Sequence, residues 1–277
     1  MFGLLPMSKP PTYTGVRHHA LVSAENLQDQ SIEDPTESIA ARLFHFMRAG
    51  KKGPAMDFLD VASECSDHLL AGIDTTSVTL MFAIFALSQQ ENREFQDKLR
   101  QEIKSISNEF VVDDVVNALA ADKLPYLDAV IKETLRLYAP LPGSEPRWSA
   151  NAEIIDGYHI PAHTVVSMSP YCLHRNEQVF EDPLNFNPNR WLGQSEQVTE
   201  MKRWFWAFSS GSRMCIGMHL AMAEMTTLLA SVYRKYKTEI VPQFTGVSPG
   251  VTARYEVFYD EKFEKIEEHE CWVMFKT

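Results

Sequence analysis

The chain has 277 residues, of which 45% are hydrophobic and 23% charged, the balance of a globular protein with material for one large core or two small ones. Its 26 basic and 37 acidic residues give a formal charge of −11, which argues against a nucleic-acid partner held by bulk electrostatics. The four cysteines, Cys65, Cys172, Cys215 and Cys271, form no Cys-x-x-Cys pair, so neither a zinc site nor a disulfide framework is expected and a reducing compartment fits.

In chain order, the first 50 residues carry little signal beyond a helical pattern at 37–47 and the loop markers Pro10-Pro11 and Asp34-Pro35. Met1–Met7 lacks a basic start and is broken by Pro6, unlike a signal peptide. No unbroken apolar run reaches the roughly 20 residues of a membrane span, so no anchor is expected in this chain. Phe58, Val61, Ala62, Cys65, Leu69, Ile73 and Thr76 recur every three or four residues. They predict a helix over 57–89, roughly 50 Å long at 1.5 Å per residue. Further helices are expected at 91–105 and 126–137, the second stopped by Pro140 and Pro142. Short strands follow at 154–155 and 164–168, then an ordered coil over 175–207, a helix from Met218 to about Tyr236, and terminal strands at 251–259 and 271–275. The pattern is mainly α with small β-sheets.

The segment Phe208-Ser-Ser-Gly-Ser-Arg-Met-Cys-Ile-Gly217 concentrates the chemistry. Gly211 permits a positive φ in a tight turn, and Gly217 lets a flat ligand approach. The helix that follows directs unpaired N–H groups and partial positive charge toward the Cys215 sulfur, favouring a thiolate. Arg213 offers a planar fork for a carboxylate. A buried structural cysteine at a turn is the plainer alternative. Thiolate, close approach and carboxylate clamp together describe the proximal side of a haem. The segment resembles the cysteine loop of the cytochrome P450 family, Phe-x-x-Gly-x-Arg-x-Cys-x-Gly, with Phe208, Gly211, Arg213, Cys215 and Gly217 filling all five fixed positions.

Three more segments carry the resemblance in the family's order. Ala71-Gly-Ile-Asp-Thr-Thr76 matches its oxygen-binding stretch. Ala71, Gly72 and Thr75 share a helix face and leave a groove, and Asp74 with Thr75 forms an acid–alcohol pair suited to proton delivery. Glu133 and Arg136 supply its Glu-x-x-Arg pair, and Phe186-Asn-Pro-Asn-Arg-Trp191 supplies Arg190 as third partner. The resemblance implies that this trio is structural. It also implies that Arg147 and Arg213 anchor haem propionates and that Phe208 limits water near the sulfur. His174, in a segment that resembles the family's His-Arg-Asp turn, is the alternative candidate for axial ligand but is read as a satisfied structural histidine. The match covers about residues 50–277, the second half of the family's catalytic unit. The organisation expected is therefore one partial domain: a remnant at 1–50, a haem-binding helical core at 51–237 and a β region at 238–277.

The resemblance implies a haem-thiolate monooxygenase with haem b as cofactor and Cys215 as axial ligand. It would insert one oxygen atom from O2 into a small lipophilic substrate, with electrons from NADPH through a separate reductase. Lys98, Arg100, Lys123, Lys132, Lys202 and Arg203 are the candidate docking residues, or else a solvated basic scatter. The wording around Glu133 and Phe186 is similar to eukaryotic microsomal members and the cysteine loop to fungal ones, which implies secondary-metabolite biosynthesis. The family's place is the cytoplasmic face of the endoplasmic reticulum; without an anchor the chain is expected in the cytoplasm. Two alternatives stand beside this: a truncated, non-catalytic fragment, and an oxygen-independent haem-thiolate isomerase or dehydratase, which would not need the Asp74–Thr75 pair.

Overall fold

The computed structural model describes residues 11–28, 38–49, 56–248, 265–266 and 271–277. The chain divides into two compact units, Met1–Asp74 and Thr75–Thr277. One long helix, α3, runs through the division.

The first unit holds α1 (Pro11–Gln28), α2 (Ile39–Arg48) and the start of α3 (Phe58–Ser88). Pro11, read from the sequence as a loop marker, opens α1, where its missing N–H costs nothing because the first helical amides have no partner anyway. Ser38 caps α2 by accepting from the Ala41 amide at 3.1 Å. At the start of α3, Asp57 and Asp60 each accept the other's backbone N–H at 2.9 Å, a reciprocal cap that fixes where the helix begins. Ala24, Phe44, Val61 and Ala62 form the apolar core of this unit.

The second unit is built on α4 (Arg93–Lys104), α6 (Pro125–Leu137) and α9 (Met218–Lys235), which pack together with the end of α3. Between α4 and α6 lie the hairpin β1 (Val111–Val112) and β2 (Val115–Val116) and the short α5 (Ala118–Ala121). Phe82, Leu87, Leu99, Ile103, Leu127, Ile131, Leu135 and Tyr233 are buried in the shared core. The start of α6 is fixed from a distance. Pro125 stands in its first turn, and both Glu102 carboxylate oxygens accept from it, from the Tyr126 amide at 2.8 Å and the Leu127 amide at 2.9 Å. A carboxylate there also complements the positive end of the helix dipole.

After α6 the chain forms two antiparallel ribbons. β3 (Glu145–Trp148) pairs with β6 (Val165–Met168), with Arg147 opposite Val166. Between them β4 (Glu153–Ile155) and β5 (Tyr158–Ile160) turn at Asp156-Gly157, both at positive φ. The short α7 (Pro170–Leu173) leads into a stretch of turns, including Pro188–Trp191, and then α8 (Glu196–Trp204). The sequence reading gave coil through 207, and α8 corrects it. Ser195 accepts from the Val198 amide, and Val198 and Met201, three residues apart, are both buried. Nine residues are too few for a periodic signal to emerge from proline-rich surroundings.

Beyond α9, β7 (Lys237–Ile240) pairs antiparallel with β10 (Val273–Lys276), so the last predicted strand begins two residues later than expected and ends one later. A two-residue parallel pair joins β8 (Val247–Ser248) and β9 (Lys265–Ile266). The strand expected at 251–259 and the acidic stretch near it lie outside the described residues. The fold is mainly α with small sheets, as the sequence pattern predicts.

Candidate haem site and its buried support

The cysteine loop lies between α8 and α9. The Cys215 amide donates to the Phe208 carbonyl at 2.9 Å, folding the segment back on itself. The reversal takes two left-handed residues, Ser209 at φ 59° and Gly211 at φ 69°. Glycine meets this requirement without strain, whereas Ser209 needs outside help. That help is present: its amide donates to the Trp206 carbonyl at 3.1 Å and its hydroxyl to Glu145 at 2.8 Å. Cys215 itself is exposed, between Met214 and Ile216 at 47% and 89% exposure. The plainer alternative, a buried structural thiol, does not describe it.

A haem-sized partner is tested by three features. Cys215 is exposed, so its side chain is accessible to an incoming ligand. A Cβ built at Gly217 would stand 4.0 Å from the Cys215 sulfur, so the glycine leaves the space beside it open. Arg147, from β3, and Arg213, from the loop, line one cleft of about 700 Å³ together with Trp148 and Gly211. Two guanidinium groups on one cleft suit two carboxylates. The residues fit the group. Arg147 also lies 3.3 Å from Glu145, a neighbour that the sequence reading passes over, so β3 and the loop share a small polar network.

Thr75, Asp74, Ala71 and Gly72 all lie on α3, as the periodicity predicts. Ala71 and Gly72 are exposed, and a Cβ at Gly72 would meet nothing within 4 Å. The Thr75 carbonyl accepts from the Thr79 hydroxyl at 2.8 Å, an extra bond on the helix ladder just past the motif.

The structure brings Glu133, Arg136 and Arg190 together. Glu133 is fully buried, and its two oxygens accept Arg136 Nε and Nη2, Arg190 Nε, the Asn187 amide and Trp191 Nε1, at distances between 2.8 and 3.0 Å. Arg136 is fully buried too. Its remaining guanidinium N–H groups donate to the carbonyls of His174, Pro183 and Asn185, so all five donors are used. Burial alone would raise the Glu133 pKa. The Arg136 charge and hydrogen bonds, followed by Arg190 and the Asn187 amide, outweigh it and hold the group below its usual range. Asn187 and Trp191 are further members of this cluster that sequence reasoning did not separate from their segment.

His174 is wholly buried, stacked on Phe205 at 5.5 Å with the rings 14° apart. Burial, then the Arg136 charge, push its pKa down to about 3 against the pull of a hydrogen bond to the Arg136 carbonyl. Of the scattered basic residues, Lys98, Lys132 and Arg203 pair with Glu94, Asp128 and Glu200 on their own helices, and Arg100 is spent on the Tyr233 and Tyr236 carbonyls.

The family model named Cytochrome P450 matches residues 17–249, and the chain belongs to that family. It is 36% identical to Cytochrome P450 monooxygenase macH of Penicillium terrestre, covering 74% of this chain and 43% of the relative. It is 34% identical to Cytochrome P450 monooxygenase orf2 of Aspergillus niger over 76% of this chain and 40% of the relative. A mitochondrial cholesterol side-chain cleavage enzyme of Macaca fascicularis shares 35% identity over 67% and 34%. The chain thus spans less than half the length of the curated relatives it matches. Haem b is the cofactor of this family. Among the described residues α3 is the one helix long and apolar enough, by length and composition alone, to cross a bilayer, a property that the core helix of a globular protein shares.

Proposed function

We propose that this chain carries the haem-binding half of a haem-thiolate monooxygenase that inserts one oxygen atom of O2 into a small lipophilic substrate. The observation that carries the reading is the open Cys215 sulfur in a doubled-back loop whose Arg213 shares a cleft with Arg147. Cys215 would hold the haem iron through its thiolate, and Arg147 and Arg213 would take the propionates. Phe208, in the turn that bonds the Cys215 amide, would restrict water at the sulfur once haem covers it. When bound, haem supplies oxygen activation at its iron. Ala71 and Gly72 leave room along α3, while Thr75 and Asp74 hold and pass the protons that oxygen cleavage consumes. Glu133, Arg136 and Arg190 keep the scaffold rigid.

The electron source is a separate NADPH-dependent reductase, as the family resemblance implies, and the substrate a fungal secondary metabolite, a reading that the fungal origin of the related monooxygenases supports. The family's place at the cytoplasmic face of the endoplasmic reticulum belongs to the same proposal. The limited coverage of the relatives favours a second reading, in which this stretch holds haem only together with further family sequence. The isomerase or dehydratase reading has no use for the Asp74–Thr75 pair.

The test is reconstitution of the chain with haem, followed by reduction under carbon monoxide. A red-shifted Soret band that disappears in Cys215→Ala supports thiolate ligation. A band unchanged by that substitution removes Cys215 as ligand. No pigment from this chain, with the thiolate band appearing in a longer one, selects the second reading.

A further inference from the structure

The buried ion cluster and the cysteine loop are far apart in sequence, and one side chain joins them. The Trp206 backbone amide donates to His174 Nε2 at 2.8 Å. An amide nitrogen can only donate, so Nε2 must be the unprotonated ring nitrogen, and the proton of the neutral ring sits on Nδ1. Nδ1–H then donates to the Arg136 carbonyl at 3.1 Å. Both ring nitrogens are therefore used, each in a fixed role. The same Trp206 continues into the loop: its carbonyl accepts from the Ser209 amide at 3.1 Å, and its indole N–H donates to Ser210 Oγ at 2.9 Å. Phe205 on one face and Phe180 at the edge confine the ring, and Arg136 in turn lies 5.4 Å over Phe180.

We propose that His174 is the positioning residue of the cysteine loop: its neutral ring ties the Trp206 amide, where the loop begins, to the carbonyl of Arg136 in the buried ion cluster. The strained reversal at Ser209 and Gly211 needs a fixed starting point, and Trp206 N–H is the last buried attachment before it. Fixing that point limits how far the Cys215 sulfur wanders, which is the consequence for a haem ligand and rests on the function proposed above. The tie itself does not.

Amide hydrogen exchange of residues 205–217 in the whole chain tests it, with His174→Gln, His174→Asn and His174→Phe. Glutamine can place an oxygen near the Nε2 position and keep the Trp206 bond. Asparagine reaches only as far as Nδ1 and loses it. Phenylalanine keeps the ring stack and loses both bonds. The expected result is exchange about tenfold faster over 205–217 in His174→Asn and His174→Phe, the size of one lost buried hydrogen bond, with His174→Gln close to wild type. Equal exchange in all four proteins overturns the proposal. So does acceleration spread evenly through α6 and α9, or a glutamine variant as fast as asparagine. If phenylalanine prevents folding, the glutamine–asparagine comparison decides alone. In protein loaded with haem, the carbon monoxide band should follow the same order. Loss of the Cys215 assignment would void that arm and leave the exchange result standing.

Discussion

Arg136 and His174 hold each other twice. The Arg136 guanidinium donates to the His174 carbonyl at 2.9 Å, and the His174 ring donates to the Arg136 carbonyl at 3.1 Å. Each residue therefore satisfies a buried polar atom of the other, and neither can be exchanged without stranding its partner.

Acid should destabilise the protein through these groups. The native ring stays neutral down to about pH 3, whereas in the unfolded chain it protonates near its ordinary value of 6.5. Below pH 6.5 the unfolded state binds a proton that the folded state refuses, so stability falls as pH falls, by up to about 1.4 kcal/mol per unit. Arg136 and Arg175 face the ring and oppose its protonation. Glu133, held ionised in the native state, adds a further loss below about pH 4.5. Urea midpoints between pH 7.5 and 4.5 should decline in wild type and stay flatter in His174→Gln.

Glu133→Gln keeps the shape of the side chain and removes its charge. Arg136 and Arg190 are then buried without a counterion, at a cost of about 3–5 kcal/mol. Denaturation should show a loss of that size. A loss under 1 kcal/mol would mean that backbone carbonyls alone suffice for the two guanidinium groups.

Two glycines of the loop should respond differently to alanine. Gly211→Ala meets no neighbouring atom but must adopt φ 69°, so it should cost about 1–2 kcal/mol of stability. Gly217 has an ordinary negative φ, so Gly217→Ala should leave stability nearly unchanged while weakening haem uptake, because its Cβ stands beside the sulfur. Thermal unfolding and haem titration of both variants separate the effects.

Thr75→Ala should leave haem binding intact, and it keeps the Thr79 hydroxyl bond, which is made to the Thr75 backbone carbonyl. With a reductase supplied, reducing equivalents should appear as hydrogen peroxide in place of oxygenated product. Equal coupling in the variant and wild type would remove Thr75 from the proton path.

The sequence by itself determined what is local. The period of 3.6 located α3 and α6, the fixed spacing Phe208-Gly211-Arg213-Cys215-Gly217 marked the loop, and Gly211 announced the positive φ it adopts. Helix period, turn chemistry and thiolate surroundings all act within a few residues, so they can be read in one dimension. Only the tertiary structure decided who satisfies whom. Glu102 caps α6 from 24 residues away, His174 reaches Trp206 across 32, and Glu145 reaches Ser209 across 64. Nothing in the spacing of those pairs predicts them. A buried polar group needs a partner, but which side chain arrives is set by how whole elements pack.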